Sequence, residues 1–293
     1  MSDLLSPVLT RRLSNYKIIS KRYVRGGQKG ERRSQRLGSS LEFSDYRTYN
    51  PGDDLRQIDW NTYARSGKFY IKRFLDEQEL DITIYLDCTK SMAINNHKWL
   101  RAKQMAAVFS FLSLANSDRV MIKPVASSSR SLPFTKGKAM TKKALTFMDQ
   151  VAVANDSKSF GDCLLHSIKE GKHGGLHIMI SDFLDNPEHL FSAIKRMQAK
   201  RQQVLLIQVL LPEEKQPGFV GDVKLIDVET MGERQVSMSP KVMENYRQLL
   251  QSHMLSISSF CRGRGIDLIP CTTSTALDET VFSTLMGKGW IGR

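Results

Sequence analysis

Residues 80–87, Leu-Asp-Ile-Thr-Ile-Tyr-Leu-Asp, place Ile82, Ile84 and Leu86 around Thr83 and Tyr85. A short run so rich in β-branched and aromatic residues predicts a strand buried in the middle of a sheet, and it ends on a carboxylate, Asp87. Further apolar runs predict strands over residues 119–126, 176–180, 204–211 and 266–270. Helical spacing separates them. Residues 97–117 are apolar on nearly every side, through Trp99, Leu100, Met105, Phe109, Leu112 and Leu114, as in a helix packed against a sheet. Helices are also expected over residues 138–154, 163–171, 187–201, 240–262 and 280–286, the third opened by Asn186 and Pro187. A hairpin over residues 223–228 and 234–238 interrupts the rhythm. Strand and helix in alternation predict an α/β fold with a doubly wound, mainly parallel sheet.

The chain upstream of residue 80 has a different pattern. Leu13, Tyr16, Ile19 and Tyr23 have helical spacing, which Gly26, Gly27 and Gly30 break. Residues 41–49 read as a strand, 51–54 as a turn, 55–66 as a helix closed by Gly67, and 69–74 as a second strand. The expected organisation is a basic arm over residues 1–36, a small β-rich module over 37–78, and the α/β domain over 79–293 with a hairpin insertion at 220–239.

Charge sharpens the picture at the N-terminus. The chain has 293 residues and a net charge of +13, and residues 11–36 hold ten Lys or Arg against one acid, Glu31. Such an arm reads as a solvated segment, or as one drawn to an acidic partner or an anionic membrane surface. Without interleaved aromatics or a recognition motif, nucleic acid is not expected as the partner. No apolar run approaches bilayer length and no secretory signal opens the chain, so the expected location is the cytoplasm, with peripheral contact at the inner membrane surface through residues 11–36. Cys88, Cys163, Cys261 and Cys271 lack metal-binding or disulfide spacing and read as free thiols.

Two places carry candidate chemistry. Asp87, Thr89 and Ser91 offer one carboxylate and two hydroxyls within five residues, at the carboxyl edge where open α/β sheets bind ligands. Hard oxygens of this kind suit Mg²⁺; the competing reading is that Thr89 and Ser91 cap the next helix. In the small module, Arg47, Asp53, Asp54, Arg56, Asp59 and Arg65 surround Trp60. They read as ion pairs that staple a module with little core, or as a surface on which Arg47, Arg56 and Arg65 receive a partner's carboxylates or phosphates.

The sequence Asp87-Cys-Thr-Lys-Ser91 resembles the Asp-x-Ser-x-Ser signature of the metal-ion-dependent adhesion site (MIDAS) of von Willebrand factor A domains. Residues 41–87, with their EF-x-DYR, PGDD and IDW elements, resemble a bacterial family called domain of unknown function 58, whose members carry an A-like domain and are typically encoded beside MoxR-type AAA+ ATPases. The resemblance implies an A-like fold and a non-enzymatic, chaperone-like complex with such an ATPase, the client being unspecified. It implies Mg²⁺ held by Asp87, Thr89, Ser91 and Asp182, with a partner's Asp or Glu completing the coordination. A Thr expected in the second loop falls at Gly161, so Ser159 is the substitute offered. The alternative is a haloacid-dehalogenase-like phosphatase with Asp87 as nucleophile, although Thr89 stands where that reaction needs a second Asp.

Overall fold

The computed structural model describes residues 4–20, 42–75, 79–153, 159–168, 174–218, 221–226 and 233–293. They divide into two compact units, one of residues 1–26 with 80–293 and one of residues 27–79. The first unit opens with helix α1 (Pro7–Leu13) and strand β1 (Lys17–Ile18). The second unit holds β2 (Glu42–Thr48), α2 (Trp60–Ser66) and β3 (Tyr70–Leu75). Returning to the first unit, the chain forms β4 (Asp81–Asp87), α3 (Lys90–Ala93), α4 (Asn96–Ala115), β5 (Arg119–Val125) and β6 (Leu132–Lys136). Next come α5 (Thr141–Gln150), α6 (Phe160–Ser167), β7 (Leu176–Ser181), α7 (Pro187–Ala199) and β8 (Gln203–Leu210). Last are α8 (Pro212–Lys215), β9 (Gly221–Ile226), β10 (Glu233–Met238), α9 (Pro240–Gly263), β11 (Asp267–Thr272) and β12 (Ile291–Gly292).

Six strands form the central sheet in the order β11-β8-β7-β4-β5-β6, all parallel except β6, which pairs antiparallel with β5 at the edge. The doubly wound, mainly parallel α/β sheet expected from the sequence is the observed one. Side-chain alternation divides its core into two layers. Ile82, Ile84, Leu86, Ile178, Ile180, Leu205 and Ile207 pack with Met105, Phe109 and Leu112 of α4. On the opposite face Tyr85, Met179 and Leu206 pack with Leu164 of α6, Leu190 and Ile194 of α7, and Ile257 of α9. Because β4 has neighbours on both sides and helices on both faces, its carboxyl end is fixed in the middle of the edge.

Two elements differ from the sequence reading. Residues 4–20 are not a solvated arm: Leu4, Leu5, Leu9 and Leu13 are buried in the α4-side core, and β1 pairs antiparallel with β12. Arg12, one of the basic residues counted there, pairs with Asp278 at 2.6 Å and lies 4.0 Å over the Phe282 ring. The positions from 21 to 36 lie outside the described residues. Strand β6 carries no clear alternation, and Pro133 sits in it; an edge strand tolerates a missing N–H.

In the second unit, β2 and β3 form an antiparallel pair, and Ile58 and Ile71, both buried, are bridged. The signature residues bind one another. Arg47 holds Asp53 through two bonds of 2.7 and 2.6 Å, which raises the guanidinium pKa. Asp59 caps α2 through the N–H groups of Asn61 and Thr62 and accepts from the Tyr46 hydroxyl at 2.9 Å. Gly67 closes the helix at φ 65°, a left-handed conformation that favours glycine.

Candidate functional site at the carboxyl edge

Asp87 is the last residue of β4 and is only 1% exposed. One of its oxygens accepts from the Thr89 N–H at 2.9 Å and the Thr89 hydroxyl at 2.7 Å; the other accepts from the Ser181 hydroxyl at 2.5 Å. Burial, then the nearby Asp182 carboxylate, pushes Asp87 up to about 7, against the pull of these donors. Thr89 occupies the N-cap position of α3, yet its hydroxyl turns back to Asp87 and makes no cap bond. Having given its proton to Asp87, that hydroxyl accepts from Ser91 Oγ at 2.9 Å. The β4 loop is therefore organised around the carboxylate and not around the helix that follows.

Asp182 follows β7 and is 3% exposed. Its Oδ1 accepts from the Leu184 N–H at 3.1 Å, and its carbonyl accepts from Gln208 Nε2 at 2.9 Å. Its Oδ2 meets the ammonium of Lys98, in the first turn of α4, at 2.7 Å. That ammonium also donates to Glu214 Oε1 at 2.6 Å and to the Ser91 carbonyl at 3.3 Å. Lys98 is completely buried. Burial works against its charge, but Asp182 and Glu214 outweigh that penalty and the pKa is raised. Glu214 is fixed in turn, since its other oxygen accepts from the Leu211 N–H at 2.8 Å.

The structure thus joins Asp87, Thr89 and Ser91 in one hydrogen-bonded chain and links it to Asp182 through Lys98. Ser159 caps α6, its hydroxyl accepting from the Asp162 N–H at 3.3 Å. Arg47 is engaged with Asp53, whereas Arg56 and Arg65 are exposed. The hydroxyls and carboxylates near Asp87 are the donor types that Mg²⁺ takes. As placed, however, the Asp182 oxygen is bonded to an ammonium, and the residues fit that monovalent cation and not a divalent ion beside it.

A family model described as "Protein of unknown function DUF58" matches residues 45–255. The chain belongs to the DUF58 family. Among curated relatives, "Uncharacterized protein Rv1480" of Mycobacterium tuberculosis is 26% identical over 281 residues, covering 92% of this chain and 87% of that protein. A solved structure of the conserved hypothetical protein BatB from Bacteroides thetaiotaomicron aligns with TM-score 0.43 and 15% identity over 71% of this chain and 98% of that one. A von Willebrand factor type A structure from Catenulispora acidiphila aligns with TM-score 0.36 and 13% identity, covering 48% of this chain and 35% of that one.

In this DUF58 chain, Lys98, Glu214 and Ser181 are site residues that the sequence reading did not single out. The substitution at Gly161 has a packing cause. A Cβ there would meet His189 Cβ and the Leu190 nitrogen at 3.0 Å each, so the close approach of α6 to the start of α7 favours glycine. Restoring the adhesion-site Thr, Gly161→Thr, is expected to cost about 1–3 kcal/mol by overpacking. Urea denaturation checks this, and an unchanged midpoint would remove the packing explanation.

Proposed function

We propose that the protein is a non-catalytic interaction protein. The carboxyl edge of its A-like sheet receives a protein partner, and the partner implied by family resemblance is a MoxR-type AAA+ ATPase, in a chaperone-like complex in the cytoplasm. The observation that carries this reading is the state of Asp87: both oxygens are occupied by internal donors and the side chain is buried. A nucleophile needs an approachable oxygen and a general acid within reach, and Thr89 stands where a phosphatase of this motif would place that acid. The phosphatase alternative therefore finds no support. Exposed Arg56 and Arg65 of the second unit are the further contacts proposed for the partner's carboxylates. No helix among the described residues is long and apolar enough to cross a membrane.

Surface plasmon resonance between the purified protein and the MoxR-type ATPase of the same organism tests the reading. Saturable binding is expected, weakened by Arg56→Ala with Arg65→Ala, together with no turnover of p-nitrophenyl phosphate. Phosphatase turnover that Asp87→Asn abolishes would overturn it.

A further inference from the structure

We propose that the Lys98 ammonium is the resident cation of this adhesion-type site, so that the carboxyl edge is held together, and engages its partner, without a divalent metal ion. The proposal begins from an improbable placement. Lys98 lies in the first turn of a twenty-residue helix, where the helix dipole disfavours positive charge, and it is completely shielded from water. A lysine persists in such a place only where its charge is answered. Here an ammonium with three protons meets three acceptors: Asp182 Oδ2 at 2.7 Å, Glu214 Oε1 at 2.6 Å and the Ser91 carbonyl at 3.3 Å.

Those acceptors come from the three segments that follow β4, β7 and β8: Ser91 in α3, Asp182 in the loop after β7, and Glu214 in α8. A metal ion in an adhesion site has the same mechanical effect, drawing separate loops to one centre, and two of the three acceptor residues, Ser91 and Asp182, are among those the resemblance assigns to the ion. Glu214 is an additional acid that the ammonium needs and the adhesion signature does not contain. The remaining candidate ligands are committed elsewhere. Thr89 Oγ donates to Asp87 and accepts from Ser91 Oγ, Ser159 Oγ caps α6, and the second-loop Thr is Gly161. Among the described residues no cluster of three or more His, Cys, Asp or Glu side chains is grouped to hold a metal.

The charge arrangement has a consequence for recognition. A divalent ion with an open coordination position attracts a partner's carboxylate, whereas this ammonium has all three protons engaged and no exposed surface. Binding at this edge cannot run through a metal-bridged acid. It depends on the shape and polar groups of loops that Lys98 holds in register, and chelators leave it unchanged.

The test is titration of the intact protein with Mn²⁺, followed by calorimetry and by the loss of free Mn²⁺ paramagnetic resonance signal, for wild type and for Lys98→Met. Wild type is expected to show no saturable uptake at millimolar Mn²⁺ and no shift in melting temperature. Removing the ammonium leaves Asp182 and Glu214 without their cation, so Lys98→Met is expected to gain saturable Mn²⁺ binding and an upward melting shift with the ion. Should that variant fold only when Mn²⁺ is supplied during refolding, the exchange of one cation for the other is supported equally. Saturable binding by wild type that Asp182→Asn removes would overturn the proposal, as would a folded Lys98→Met that takes up no ion. The metal result does not depend on the proposed partner: failure to bind the ATPase would remove the interaction reading and leave the Lys98 assignment standing.

Discussion

Asp182→Ala is expected to destabilise the first unit by about 3–5 kcal/mol, the range for breaking a buried ion pair by deleting one partner. The carboxylate is 4% exposed and the Lys98 side chain 0% exposed, so little solvent screening softens the loss. Glu214, at 17% exposure, would remain beside the ammonium, and the Ser91 carbonyl contact is long at 3.3 Å. The Leu184 N–H would lose its acceptor as well. Asp182→Asn keeps shape and one acceptor oxygen, and is expected to cost less, about 1–3 kcal/mol. Urea denaturation measures both; Trp99 and Trp290 report the first unit once Trp60→Phe silences the second. A midpoint shift worth less than about 1 kcal/mol for Asp182→Ala would mean that the pair contributes little, as with exposed ion pairs.

The fold was legible where periodicity and burial coincide. In β4, the residues that alternate in sequence alternate between the two core layers, Ile82, Ile84 and Leu86 against Tyr85. The edge carboxylates were legible because a strand that stops on Asp announces where the sheet ends. Lys98 was not. A lysine three residues after a helix N-cap reads as a solvated side chain, and its partners lie 84 and 116 positions away in sequence. Only the fold brings them together. The same applies to α1, whose leucines were overshadowed by the basic residues around them. Those leucines pack into the α4-side core, and the strand that follows α1 pairs with β12 at the other end of the chain.

Acidification is expected to remove about 3 kcal/mol of stability between pH 6.5 and pH 4 through one residue, His177. Its imidazole lies within the sheet at 6% exposure, stacked with Tyr85, and Nδ1 is 3.3 Å from the Tyr85 hydroxyl. Burial, aided by the positive charge of Lys123 and opposed by a backbone hydrogen bond at Gly174, lowers the pKa from 6.5 to about 4. In that window the unfolded chain binds a proton that the folded chain refuses. The stabilisation is therefore complete above pH 6.5 and is lost as the pH falls to about 4. Asp87 bends the profile the other way: its carboxyl, raised to about 7, holds a proton in the folded state that the unfolded chain releases, so its contribution improves on acidification. Comparing wild type with His177→Gln separates the two, because Asp87 is common to both. Urea midpoints at pH 7.5, 5.5 and 4.5 should show the gap between the proteins narrowing or reversing as the pH falls. Parallel profiles would mean that His177 takes up its proton without unfolding the sheet around it.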